Sequence, residues 1–294
     1  MIAVKLMGGL GNQMFQYAAA RALALEKNTW VYLDPSFLYE DAKGRWTQRD
    51  YELGCFNIQY KFERSGRIRF LRSLNSNRFW RKMSDSSLWP FPYRNFYEAS
   101  QEFHPELFSY PKNTYLQGYF QCEKYFNLHE SIIRRDFEFL EQASGRNEET
   151  LQKIKNSFSI SLHIRRGDYV TLAAASDFHS LIGLEYYHAG VEHILSSTKE
   201  TPHFFIFSDD PKWVKENIIL QGETTYIDWN SGDKGFEDLR LMSNCKHHII
   251  ANSSFSWWGA WLNPSKEKIV IAPKKWFADG SAQHDIIPAS WIKL

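Results

Sequence analysis

Short apolar segments alternate with amphipathic segments through the second half of the chain. Residues 158–164 alternate apolar and polar side chains as a strand does, and apolar residues recur at helical spacing over 184–194. The alternation continues with strands predicted over 204–207, 225–227, 248–251 and 269–272, and with helices predicted over 212–217, 236–242 and 255–262. Five short strands separated by helices predict a parallel, doubly wound α/β sheet.

The first half of the chain begins with the same order of elements and then loses it. A strand over 2–7 runs into the glycine-rich turn Gly8–Gln13, which opens an alanine-rich helix ending near Glu26. Further predicted elements are strands over 29–33 and 114–120 and helices over 122–129 and 148–156. Gly145-Arg146-Asn147 has the composition of a linker, so we divide the chain into domains of residues 1–147 and 148–294.

Polar clusters follow three of the five strands in the second half. The clusters contain His163, Arg165, Arg166 and Asp168 after the first strand, Asp209 and Asp210 after the second, and Asn252–Ser256 after the fourth. Ligands of doubly wound sheets bind outside the carboxyl ends of the strands. Arginines suit a diphosphate, a carboxylate can accept N–H groups from a guanine edge, and serines opening a helix add donors for phosphate. Together the clusters predict a nucleotide site.

Each cluster also has a purely structural interpretation. Arg166 and Asp168 could form a surface salt bridge, and His163 could be a hydrogen-bonded core histidine. Asp210 precedes Pro211 and suits a helix N-cap, which makes Asp209 the better candidate for binding a base. Ser253 or Ser254 could cap the following helix, whose tryptophans could be packing residues rather than a platform for sugar. These tryptophans are Trp257, Trp258 and Trp261.

The glycine turn of the first half is open to two interpretations as well. Backbone N–H groups at a helix start can face an anion or a sugar hydroxyl, but glycines also serve a tight strand-to-helix turn. The turn is not a dinucleotide fingerprint, because Met14 stands at the third glycine position, and no Gly-Lys-Ser/Thr follows to make a P-loop.

Composition narrows the possible partners. The formal net charge is +1, which disfavours nucleic acid, and the three cysteines are widely separated and indicate neither a disulfide framework nor a zinc site. No Asp-x-Asp pair is present to clamp a metal–diphosphate complex, so arginine would have to replace the metal. No apolar run reaches a membrane-spanning length and the strand before the first glycines is too short for a signal peptide, so we expect a cytoplasmic protein.

A basic segment modifies this expectation. Residues 61–82 carry eight Lys and Arg against one Glu, within a stretch of 41–111 that follows no regular period. The segment could contact an anionic membrane surface or a lipid-linked acceptor, which would place the protein at the inner face of a membrane. The favoured interpretation is a solvated helix face over a satellite core.

The motifs closely resemble those of the α-1,2-fucosyltransferases, glycosyltransferase family 11, and come in the family's order. They are Gly9-Leu10-Gly11-Asn12-Gln13, His163-Ile164-Arg165-Arg166-Gly167-Asp168-Tyr169, Phe207-Ser208-Asp209-Asp210 and Asn252-Ser253-Ser254-Phe255-Ser256-Trp257-Trp258-Gly259. The resemblance implies a GT-B-like fold of two Rossmann-like domains facing a cleft. GDP-fucose would be held mainly by the C-terminal domain, and the N-terminal domain would lie on the acceptor side.

The resemblance also implies an activity: transfer of L-fucose from GDP-β-L-fucose, with inversion and without metal or cofactor, to the 2-hydroxyl of a terminal β-galactose. The acceptor would be an oligosaccharide or a lipid-linked glycan. The alternatives are an inverting transferase for another GDP-sugar and a non-catalytic glycan-binding protein. Calorimetry with GDP, GDP-mannose and GDP-fucose would separate the three.

Residue roles follow from the same resemblance. Arg165 would contact the β-phosphate and stabilise departing GDP, and Asn12 would lie near the reacting centre. His163 and Asp209 would hold guanine, and the other donor-binding residues would be Arg166, Asp210, Ser253, Ser254, Phe255, Ser256, Gly9, Gly11 and Gln13. The general base is sought among Asp168, Glu185 and His179, with Asp168 ranked first.

Overall fold

The computed structural model describes residues 1–41, 47–61, 66–76, 93–166, 182–277 and 285–294. The chain forms two compact units, Met1–Leu140 with His284–Ile286 and Glu141–Gln283 with Ile287–Leu294. The boundary thus lies at 140/141, and Arg146 and Asn147, which the sequence analysis assigned to a linker, belong to the first turn of a helix.

The described residues of the N-terminal unit form a parallel sheet with helices. The strands are β1 Ile2–Lys5, β2 Val31–Asp34, β3 Arg94–Tyr97 and β4 Thr114–Gln117, in the order β2-β1-β4-β3. The helices are α1 Leu10–Glu26, α2 Arg67–Ser76 and α3 Glu130–Asp136. Predicted helix 122–129 is instead two short 3-10 turns, Glu123–Tyr125 and Asn127–His129.

The C-terminal unit contains the predicted doubly wound sheet. Its described strands are β5 Phe158–Ile164, β6 Pro202–Ser208, β7 Glu223–Ile227, β8 His247–Ile249, β9 Val270–Ala272 and β10 Ile292–Lys293. They are all parallel and lie in the order β10-β9-β8-β5-β6-β7. The helices are α4 Arg146–Lys155, α5 Leu184–Ser196, α6 Pro211–Asn217, α7 Gly235–Asn244 and α8 Ser254–Leu262.

Apolar clusters cover both faces of this sheet. On one face, Val191 and Ile194 of α5 pack with Ile160 of β5. On the other face, Leu241 of α7 packs with Phe205 of β6. All seven residues of β5 are buried, as expected for a central parallel strand covered on both sides. The predicted α/β class and parallel sheet are therefore confirmed.

The helices do not resemble membrane spans. None of those in the described ranges combines the length and the hydropathy needed to cross a bilayer.

Candidate active site

The C-terminal sheet reverses its strand order at β5. From β5 the chain proceeds to β6 on one side, and it later returns to β8 on the other side. The polar clusters that follow β5, β6 and β8 therefore come from three adjacent strands and open at the same edge. This edge is a topological switch point, which is where doubly wound sheets bind their ligands.

The two arginines that follow β5 are held by the carboxylates that follow β6. Arg165 Nε lies 3.1 Å from Asp209 Oδ2, and the Arg166 backbone N–H donates to Asp209 Oδ1 at 2.8 Å. The Arg165 and Asp209 side chains remain 24% and 27% exposed, so a ligand can reach them. Because both Asp209 oxygens are used within the protein, this carboxylate aligns the two arginines. Its predicted contact with a base remains a prediction.

Arg166 and Asp210 form a second pair beside the first. Arg166 Nε lies 3.4 Å from Asp210 Oδ2, and the guanidinium carbon lies 3.6 Å from the centre of the Trp213 ring. Asp210 Oδ1 accepts the Trp213 N–H at 3.2 Å, with Pro211 at the first position of α6. Asp210 is thus a helix N-cap, as its place before proline suggests, and it also orients Arg166. Trp213 was not foreseen, although its spacing from Asp210 places it in the first turn of the helix.

His163 lies at the base of the same edge. Its side chain is buried, and its Nδ1 atom has no hydrogen-bond partner among the described residues. Burial, assisted by the charge of Arg165, lowers its pKa to about 4, although Asp209 acts in the opposite direction. The imidazole is therefore neutral at physiological pH. Its ring centre lies 5.9 Å from that of Phe255, so the histidine links the β5 and β8 ends of the site.

The serines after β8 open helix α8. Ser253 Oγ caps the helix by accepting the Phe255 N–H at 3.3 Å, and Ser256 Oγ donates to the Ser253 carbonyl at 3.4 Å. Ser256 is buried, whereas Ser253 and Ser254 are partly exposed at the start of the helix. A helix start with exposed hydroxyls and N–H groups is suited to a phosphate. Trp257, Trp258 and Trp261 are buried, which confirms that they are packing residues.

The glycine turn forms a second polar edge, at the carboxyl end of β1 in the N-terminal unit. Gly8 has φ +73°, and a Cβ there would lie 2.5 Å from Asn12 Nδ2, so the turn needs glycine at this position. Gly9 is the N-cap of α1, and Gly11 is buried in its first turn. Gln121 Nε2 donates to Asn12 Oδ1 at 2.7 Å and orients the asparagine amide.

Gln13 ties this turn to the loop that contains Asp50 and Glu52. Its Nε2 donates to the Gly8 carbonyl at 2.9 Å and the Asp50 carbonyl at 2.7 Å, and its Oε1 accepts the Glu52 N–H at 3.0 Å. The side chain is fully buried. Its amide holds the turn in shape, and a direct contact with the donor remains a prediction.

Glu98 is a carboxylate of this edge that was not predicted from the sequence. Glu98, which follows β3, accepts the backbone N–H groups of Tyr119 at 2.6 Å and Phe120 at 3.0 Å. A Cβ on Gly118 would lie 2.4 Å from Glu98 Cβ, so glycine is needed for this approach. The glycine inside the predicted strand 114–120 was the available signal, because an isolated glycine in a strand pattern marks a close backbone approach.

Some predicted residues lie outside the described ranges. Asp168 and His179 are among them, as is much of 61–82. Within that segment, Lys61 Nζ lies 3.9 Å from the centre of the Trp30 ring, and Arg72 lies 3.6 Å from Asp34. Glu185 is exposed in the first turn of α5. No group of three or more His, Cys, Asp or Glu side chains in the described residues could hold a metal ion.

Comparison with known proteins gives this architecture a family. The model of glycosyl transferase family 11 matches residues 67–294. The O-antigen biosynthesis glycosyltransferase WbnK of Escherichia coli is 36% identical over 301 residues, which cover 98% of this chain and 99% of WbnK. An alpha-1,2-colitosyltransferase of Escherichia coli is 32% identical over 304 residues, with coverage of 100% and 98%. A galactoside 2-alpha-L-fucosyltransferase of Caenorhabditis elegans is 28% identical over 218 residues, with coverage of 65% and 56%.

A solved structure supports the fold. Arabidopsis thaliana FUT1, solved in complex with GDP, superposes with a TM-score of 0.53 at 9% identity, covering 99% of this chain and 75% of FUT1. Two parallel sheets, a polar edge at a switch point and these likenesses define a glycosyltransferase of the GT-B type. The chain belongs to glycosyltransferase family 11, as its motifs predicted.

Proposed function

We propose that this protein transfers L-fucose from GDP-β-L-fucose to the 2-hydroxyl of a terminal β-galactose on a glycan, forming an α-1,2 linkage with inversion. The observation that carries the proposal is Arg165, aligned by Asp209 at the switch point of the C-terminal sheet. Relatives whose names specify α-1,2 transfer of colitose and of L-fucose support the linkage and the type of sugar.

The donor half of the reaction is assigned to the C-terminal edge. Arg165 would contact the β-phosphate, with Arg166 beside it. The start of α8 would bind phosphate through Ser253, Ser254 and Ser256, with Phe255 alongside. His163 is neutral, so it can exchange hydrogen bonds with guanine without bringing a second charge next to Arg165.

The charges that develop when the sugar–phosphate bond of the donor breaks explain why a guanidinium is suited to a position beside the β-phosphate. The bond between the sugar C1 and the β-phosphate oxygen breaks as the acceptor oxygen approaches C1 from the opposite face. Positive charge develops on the sugar while negative charge grows on the departing phosphate. A guanidinium held in advance at that phosphate stabilises the transition state more than the ground state, and this difference accelerates the reaction.

The same donor set supports the proposal that the reaction needs no metal. Two guanidiniums at one edge can present forked N–H donors to a diphosphate, and in this way they would do the work that a divalent cation performs in other transferases. The proposal therefore includes no cofactor.

The acceptor half is assigned to the N-terminal unit. Asn12, oriented by Gln121, would lie near the reacting centre, and Gly9, Gly11 and Gln13 would shape the turn beside it. From sequence alone, Asp168 is the first candidate for the base that removes the hydroxyl proton. An Asp168→Asn variant with an unchanged pH–rate profile would exclude it.

A second donor deserves a direct comparison, because a 32% identical relative is named an alpha-1,2-colitosyltransferase. Colitose is L-fucose without the 3-hydroxyl, so the two donors differ at one polar group of the sugar. A site that hydrogen-bonds this hydroxyl would discriminate strongly against the deoxy sugar. The ratio of kcat/KM for the two GDP-sugars decides between them.

The test of the proposal is incubation with GDP-fucose and EDTA across a panel of β-galactosides, with the product linkage determined by NMR. We expect an α-1,2-linked fucoside formed at the same rate with and without EDTA. An enzyme that is inactive until manganese is added would contradict the metal-independent mechanism. Absence of product from GDP-fucose, with product from another GDP-sugar, would contradict the donor.

The basic segment 61–82 belongs to the proposal as a peripheral contact with an anionic membrane. In a sedimentation assay with anionic liposomes, we expect wild type to be recovered with the lipid more strongly than a variant with Arg67 and Arg69 replaced by Gln. Equal recovery would remove the membrane contact and leave a solvated helix face.

A further inference from the structure

The loop residue Glu52 lies against the glycine turn of the N-terminal unit. Its Oε1 atom lies 3.6 Å from the position that a Cβ on Gly9 would occupy, and its carboxylate accepts the backbone N–H of Leu10. Gly9, the N-cap of α1, has no side chain to cap the helix. Glu52 therefore supplies from another part of the chain the oxygen that a serine or aspartate would provide locally.

The position of Glu52 is held on both sides. Its own N–H donates to Gln13 Oε1 at 3.0 Å, and the same Gln13 amide binds the carbonyls of Gly8 and Asp50. Leu53, the next residue, is completely buried. The backbone around Glu52 is therefore fixed, while its side chain remains partly exposed.

Burial, more than nearby charge, favours the protonated form of the Glu52 carboxylate. Burial raises the pKa of Glu52 above its usual value, against the effects of Arg49 and the Leu10 N–H, which lower it, while Asp50 acts weakly with burial. Among the described residues, the charged side chains that face the Glu52 carboxylate are Arg49 and Asp50. A partly buried carboxylate with a raised pKa is a stronger base than an exposed one.

We propose that Glu52, in place of the sequence candidate Asp168, is the catalytic base that accepts the proton of the acceptor hydroxyl. The inference depends on the proposed function, which puts the reacting centre near Asn12 on the same turn. As the acceptor O–H proton moves to a Glu52 oxygen, the acceptor oxygen bonds to the sugar C1. The bond from C1 to the β-phosphate oxygen breaks at the same time, and its electron pair leaves with GDP.

Two other described carboxylates, Glu98 and Glu185, are less suited to this step. Glu98 at the same edge has its oxygens occupied by the N–H groups of Tyr119 and Phe120. Glu185 lies on the other unit and is exposed, and its oxygens fold against Gly183. Glu52 has one backbone donor and retains lone pairs for a substrate.

The test compares Glu52→Gln with Asp50→Asn, which removes the same charge from an exposed side chain two residues away. We expect Glu52→Gln to lower kcat by about 10²- to 10⁴-fold, with affinity for GDP unchanged in calorimetry and Asp50→Asn near wild type. The acid limb of the wild-type pH–rate profile, where activity falls as the base is protonated, should be absent from Glu52→Gln.

Azide provides a measurement that a structural role would not affect. In Glu52→Ala, azide needs no base and can attack C1 directly, so the C1–phosphate bond breaks, a C1–nitrogen bond forms and GDP leaves. We expect α-fucosyl azide from this variant at a rate that rises with azide concentration. Wild-type kcat in Glu52→Gln, or an inactive Glu52→Ala that binds GDP and forms no azide product, would overturn the proposal. Inactivity of the wild type with GDP-fucose would instead refute the proposed function.

Discussion

Replacing Arg165 by lysine should damage the enzyme almost as much as replacing it by alanine. Arg165 uses Nε to pair with Asp209 at 3.1 Å, which fixes the plane of the guanidinium at the edge of the sheet. A lysine ammonium is a point charge on a flexible stem, so it cannot pair with Asp209 and present a fork to a phosphate together. Retaining the positive charge should therefore rescue little activity.

The expected loss can be set by comparison with single donors that stabilise an oxyanion. Removing one such donor costs on the order of 10²- to 10³-fold in kcat, or about 2.7–4 kcal/mol of transition-state stabilisation. Because Asp209 also binds the Arg166 N–H at 2.8 Å, the carboxylate should stay in place when Arg165 is changed. The loss should thus appear in kcat rather than in protein stability.

The assay is steady-state transfer from GDP-fucose to a β-galactoside, with calorimetric binding of GDP and thermal denaturation measured on the same preparations. Arg146→Lys is the control for the substitution itself, since Arg146 is an arginine of the same unit whose guanidinium carbon lies 3.7 Å from the Trp229 ring centre, and it has no assigned part in the reaction. Wild-type kcat in Arg165→Lys would refute the argument, because the geometry of the fork would then be irrelevant.

Three further predictions concern stability. Unfolding allows His163 to bind a proton that the folded state excludes, so stability should fall as the pH drops from about 6.5 towards the folded pKa of about 4. The slope of Tm against pH should therefore be shallower in His163→Gln than in the wild type. Identical slopes would contradict the buried neutral imidazole. Gly118→Ala should lower the free energy of unfolding by about 1–3 kcal/mol, because its Cβ would collide with Glu98, whereas Gly235→Ala, with open space around it, should change stability little; equal effects in denaturant titrations would refute the steric argument. Asp210→Ala should cost about 1 kcal/mol through loss of the α6 cap, and Asp210→Asn should retain most of it, as thermal denaturation will show; a destabilised Asn variant would indicate that the pair with Arg166 matters more than the cap.

The shared position of the candidate C-terminal site residues was predictable because these residues follow strands with a clear pattern. The apolar pattern of the sequence predicts the buried strands β5, β6 and β8. Because these strands are parallel, the residues that follow them lie at one edge of the sheet. The pairing of Arg165 with Asp209 was less accessible, since sequence order does not say that β6 and β8 both adjoin β5.

The N-terminal unit was less predictable for physical reasons. β3 is short and includes the polar Arg94 and Asn95, so no alternation marks it. In the C-terminal unit, the two-residue strand β10 is likewise too short for any periodicity to detect. Glu52 lies in a loop without a period, and its contact with the glycine turn joins segments that are distant along the chain. Gln13 was assigned to the donor because of its motif, but its amide binds the protein's own backbone.

The central place of β5 also determines when the donor site comes into being during folding. β5 pairs with β6 across a moderate separation in sequence. Its pairing with β8, in which Ile160 is the register partner of His247, closes a much longer loop. Pairings between distant parts of a chain tend to form more slowly, so we expect the arginines to be in place before the serine helix joins them. A nucleotide would then bind only the completed sheet, and its presence should favour the finished fold by mass action.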